Sequence, residues 1–84
     1  MPMFEAVFVR GPKSLVEGLT SEDEAVSQGL KPEKRMIDAG NFDEAADKVL
    51  KVETDYNQRT KDATQEGVKY FHVQDAKGNR RSLI

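Results

Sequence analysis

The chain predicts an α+β fold: a two-layer sandwich with the order β-α-β-α-β-β, a small mixed sheet, helices on one face and a C-terminal β-hairpin. Three observations carry this. Phe4 to Val9 is almost continuously apolar over a strand's length, broken only by Glu5. Phe42 to Leu50 repeats apolar residues at helical spacing. Two β-prone runs flank the turn sequence Asp75-Ala76-Lys77-Gly78-Asn79.

The first strand is read from Met3 to Arg10. Its odd and even positions are both apolar, the pattern of an interior strand buried on both faces, and Gly11-Pro12 ends it. Ser14-Leu15-Val16-Glu17 has the form of a capping box, and Ser21-Glu22-Asp23-Glu24 repeats it. Carboxylates at the second position also suit the positive end of a helix. Gly18 and Gly29 then predict one broken helix or two short ones between 14 and 29.

Leu30-Lys31-Pro32 turns the chain, and Arg35 to Ala39 reads as a short strand stopped by Gly40. Asn41 is a good N-cap with Glu44 in the capping-box position. Phe42, Ala45, Ala46, Val49 and Leu50 fall at i, i+3, i+4, i+7 and i+8 and form one apolar stripe, which Val52 and Tyr56 extend. Asp47 and Lys51 form an i,i+4 pair on the wet side. Residues 55–66 are polar and fit either a solvated end of this helix or a loop. Val68 to Gln74 reads as a strand. Asp75 suits the first turn position and Gly78 supplies positive φ, so Arg80 to Ile84 returns as a hairpin partner at a sheet edge. A strand–helix–strand start favours a right-handed crossover between the first two strands.

The 84 residues predict one domain, 1–84, near the lower limit of what a single core stabilises. With no cysteine and His72 as the single histidine, neither a disulfide nor a zinc site is expected, and no cofactor is indicated. No apolar run approaches the roughly 18 residues that span a bilayer, and the amino end lacks the form of a signal peptide. A cytoplasmic protein of a bacterium or a phage-infected cell is expected, without membrane contact.

Charge is polarised. Residues 1–57 carry 7 Lys+Arg against 12 Asp+Glu, whereas residues 58–84 carry 6 against 3. The leading expectation is therefore a small non-catalytic binding protein acting through protein–protein contact. It would use either an acidic helical face of Glu22, Asp23, Glu24, Asp43, Glu44 and Asp47, or a free sheet edge. A homo-oligomer through an edge strand belongs to the same expectation. The alternative is nucleic-acid binding through the basic hairpin, with Lys69, Tyr70, His72, Lys77, Arg80 and Arg81 offering cations to phosphates and rings to bases. On an unbroken strand Tyr70 and His72 share one face, and Lys69 and Phe71 the other. Against this stand the sequence pI of about 5.4, well below that of dedicated nucleic-acid domains, and the ordinary roles of these residues in a core, a turn and a protected edge.

Other constellations are weaker. Gly11-Pro12-Lys13-Ser14 lacks P-loop spacing, and Pro12 removes a backbone donor. Glu22-Asp23-Glu24 is too dense for a calcium loop. Pro2-Met3-Phe4-Glu5-Ala6-Val7-Phe8-Val9-Arg10-Gly11 resembles the opening strand of the tautomerase superfamily, whose amino-terminal proline is a general base. The resemblance implies Pro2 in that role once Met1 is removed. Phe4 to Ser21 resembles the first strand and loop of guanidino-group-modifying enzymes such as arginine deiminases, whose nucleophilic cysteine this chain lacks.

Overall fold

The computed structural model describes residues 3–59 and 66–84. Its elements are β1 (Met3–Pro12), α1 (Lys13–Glu17), α2 (Glu22–Ser27), β2 (Glu33–Asp38), α3 (Phe42–Arg59), β3 (Glu66–Gln74) and β4 (Arg80–Ser82). The fold is α+β with the expected order, its first helical segment divided in two. Pro2 and most of the polar stretch after residue 59 lie outside the described residues.

The four strands form one sheet in the order β2-β1-β3-β4, with every neighbouring pair antiparallel. β1 is interior, as its doubly apolar pattern requires, and β4 is at an edge. The sheet is not mixed, and element lengths explain why. β1 covers about 33 Å at about 3.3 Å per residue. Helices of five and six residues reach only about 7.5 and 9 Å. Neither helix carries the chain back along the sheet, and Glu33 pairs opposite Phe8 near the end that the chain has just left. The 18-residue α3 does span the sheet, at about 27 Å. It joins β2 to β3, which run parallel to each other on either side of β1, a split β-α-β unit.

The helices are not confined to one face. Phe4, Ala6 and Phe8 of β1, Ile37 of β2, and Val68, Tyr70 and Val73 of β3 pack with Ala45 and Val49 of α3. Val9 and Phe71 point the other way and pack with Val16, Leu19 and Ala25, so α1 and α2 cover the opposite face. A strand apolar on both sides needs cover on both. The principal extents are 37 × 26 × 16 Å.

That second layer covers only the end of the sheet near Val9 and Phe71. Gly67 lets α1 approach there, since a Cβ would lie 3.1 Å from Lys13 Cα and 3.1 Å from a Val16 methyl. Towards the other end, the face presents Met3, Glu5, Lys34, Met36, Gln74 and Arg80, with Glu5 and Lys34 paired across the strands at 3.6 Å.

Local signals set the boundaries. Asn41 Oδ1 accepts the Glu44 N–H at 2.8 Å, and the Glu44 carboxylate accepts from Gly40 N–H at 3.1 Å. Ser21 Oγ accepts the Glu24 N–H at 3.1 Å. The Ser14 box does not form. Helix α1 begins at Lys13 with Pro12 as its cap and no side-chain cap bond, because the Gly11-Pro12 end of β1 leads directly into the helix and places Ser14 inside it. In the hairpin, Gly78 has φ 89° and Asp75 Oδ1 accepts from Lys77 and Asn79 N–H groups at 2.9 Å each.

Candidate functional site

The acidic residues separate into two groups. Glu22, Asp23 and Glu24 form the first turn of α2, whereas Asp43, Glu44 and Asp47 belong to α3 on the far side of the sheet. Several have structural work. Glu24 accepts from the Thr20 hydroxyl at 2.6 Å. The Glu44 carboxyl is held below its ordinary range by the Gly40 N–H and by Lys48, 3.4 Å away. Asp43 pairs with Arg81 across from β4. No single acidic surface results. The i,i+4 pair closed on α3 is Glu44–Lys48.

The basic hairpin divides as well, and the cause is a β-bulge. Val7 pairs with His72 but Phe8 pairs with Tyr70, so Phe71 is an extra residue on β3. The alternation of faces shifts there. Tyr70 turns into the α3 core, 3% exposed and 4.9 Å from the Phe8 ring, and its N–H donates to Glu53 at 2.7 Å. It has no face to offer a base. Phe71 and His72 both point to the α1/α2 side. Arg80, whose Nε donates to Gln74 Oε1 at 2.9 Å, lies on that side too, while Arg81 faces α3. Lys69 is half-buried on β3 and Lys77 is exposed in the turn.

His72 stands in a cleft of about 320 Å³ with Thr20, Ser21, Glu22, Phe71, Arg80, Ser82 and Ile84. Burial lowers its pKa below the ordinary histidine value, Arg80 adds to this, and Glu22 and Glu5 oppose it. A carboxylate and a guanidinium thus border one cleft, and among the ion pairs of the described residues none joins them.

A second concave region runs between α3 and the outer edge of β2. One depression of about 400 Å³ is lined by Arg35, Met36, Ile37, Asp38, Lys48, Lys51 and Val52. A second, of about 270 Å³, is lined by Arg35, Val52, Asp55, Tyr56 and Arg59. They share Arg35 and Val52 and so form one groove. On α3 the lining residues Lys48, Lys51, Val52, Asp55 and Arg59 recur at i, i+3, i+4, i+7 and i+11, one stripe of the helix. Lys48 is committed, since its ammonium donates to the Asp38 carbonyl and meets Glu44. Arg35, Lys51 and Arg59 take part in no ion pair among the described residues. Beside this groove, no described strand pairs with the outer edge of β2.

This groove has no signature in the linear sequence. The sequence places Lys51 on the wet side of the helix and leaves Arg59 in a stretch that fits either helix or loop, and only the position of β2 at the edge brings Arg35 up to them.

Among the described residues no three His, Asp or Glu side chains converge as metal ligands, and no helix is long and apolar enough to cross a membrane. No family model matches the chain, and neither a curated protein nor a solved structure matches it.

Proposed function

We propose that this protein is a non-catalytic binding module, and that it takes an extended acidic segment of a partner protein along the free edge of β2. One observation carries the reading: an unpaired strand edge is bordered by Arg35, Lys51 and Arg59, none of them in an ion pair among the described residues. A strand added to an edge gains main-chain hydrogen bonds, and side-chain contacts beside it supply the choice of partner. The apolar floor of Ile37 and Val52 accepts alternate apolar residues of the incoming strand. Glu33, Lys34 and Arg35 on β2 itself act against indiscriminate edge pairing, so a partner gains entry by matching charge. The cysteine-free composition accords with a cytoplasmic setting.

The acidic helical face has less support, because its six residues lie on two sides of the sheet. Nucleic-acid binding by the hairpin has less still, because Tyr70 is buried and Arg80 and Arg81 face apart.

The test is fluorescence anisotropy with a labelled peptide of alternating Glu and Val, a Lys-Val counterpart and a single-stranded oligonucleotide. The acidic peptide should bind, and binding should weaken with salt. Arg35→Glu with Lys51→Glu should cost about tenfold or more, about 1.4 kcal/mol. Equal binding of both peptides, or an unchanged affinity in the double variant, contradicts the reading. Binding of the oligonucleotide alone would replace it with phosphate recognition.

A further inference from the structure

The half-covered face of the sheet offers a second surface, on the opposite side of the sheet from α3, with Met36 at the border between it and the β2 groove. We propose that a second copy of this chain covers it, in a two-fold dimer whose axis lies parallel to the sheet and across the strands.

The first support is the placement of apolar surface. Five large apolar side chains are exposed among the described residues, and four lie on this side: Met3 at 45%, Val26 at 53%, Met36 at 56% and Ile84 at 52%. Scattered singly such residues are unremarkable, but gathered on one side they mark an interaction surface. The second support is shape. α1 and α2 build a raised step over one end of the face and leave the other end bare. Rotation by half a turn about the stated axis brings the step of each copy over the bare half of the other, so the surface is complementary to itself, as an isologous contact requires.

The third support is charge. Glu22 on the step and Arg80 on the sheet border one cleft without pairing within the chain. In the dimer the Glu22 carboxylate of each copy approaches the Arg80 guanidinium of the other, and two cross-copy pairs form by symmetry.

Sedimentation velocity tests this across a concentration series up to about 100 µM, well above the Kd expected of a stable interface of standard size. A dimer is expected. Glu22→Lys and Arg80→Glu should each weaken it at least about tenfold, the loss of about 1.4 kcal/mol, and the double variant should regain most of the loss. Circular dichroism verifies that each variant is folded. A wild-type chain that stays monomeric throughout overturns the proposal, as does a double variant no better than either single one. A dimer that Arg35→Glu breaks and Arg80→Glu leaves intact also overturns it, by placing the contact on the β2 edge.

Discussion

Tyr70 and His72 are two residues apart on β3 and lie on opposite sides of the sheet. The bulge at Phe71 does this: Tyr70 faces the α3 core, whereas His72 falls on the α1/α2 side together with Phe71. The two adjacent rings thus anchor different helical layers.

Truncating either ring should therefore loosen a different part of the molecule. Tyr70→Ala and Phe71→Ala should each cost about 3–5 kcal/mol, read from urea unfolding. In amide NMR spectra of the folded fraction, Phe71→Ala should perturb α1 and α2 most, and Tyr70→Ala should perturb α3. Identical perturbation maps would mean that Tyr70 and Phe71 do not anchor separate layers.

Asn57 holds the end of α3 to the sheet. Its side-chain amide donates to the Val68 carbonyl at 3.1 Å and accepts the Val68 N–H at 3.0 Å, as a neighbouring strand would. Asn57→Ala leaves both backbone groups without that partner and should cost about 1–3 kcal/mol. Asn57→Asp keeps the acceptor and loses the donor, so it should fall between. A destabilisation below a few tenths of a kcal/mol would show that water replaces the amide without penalty.

The caps make a paired prediction. Asn41→Ala should lower stability by about 1 kcal/mol, because Asn41 caps α3. Ser14→Ala should change little, because Ser14 lies within α1 and caps nothing. Equal losses would restore the capping box at Ser14.

His72 should make stability depend on pH. Its folded pKa is lowered, first by burial and then by Arg80, so the unfolded chain binds the proton more readily. Stability from this group is fully present above the unfolded value, about 6.5, and is lost as pH falls through the lower folded value. His72→Gln should flatten that part of the profile. A wild-type profile that rises on acidification through the same window would contradict the sign.

Much of this fold is legible in the residues. The stripe from Phe42 places α3, Asp75 and Gly78 place the hairpin turn, and the doubly apolar run at Phe4 to Val9 makes β1 interior. That same run also demands helices on both faces, a consequence that a two-layer reading overlooks. The antiparallel pairing of β1 with β2 follows from the shortness of α1 and α2, which depends on where Gly18 ends the first helix. The bulge has no local signature, since Tyr70-Phe71-His72 alternates acceptably as a plain strand. The candidate groove is a tertiary product. Arg35 and Lys51 acquire a joint meaning only when β2 takes the edge and α3 lies along it.

Hydrogen exchange measures most directly whether the outer edge of β2 receives a partner strand. Exchange of backbone amides should be followed by NMR with and without the alternating Glu-Val peptide. About half of the β2 amides point away from β1 in an antiparallel pair and should exchange fast in the free protein. These should slow markedly when the peptide binds, while amides of β4 should not change. Peptide binding that leaves β2 exchange unaltered, with changes confined to the side chains of α3, would contradict strand addition.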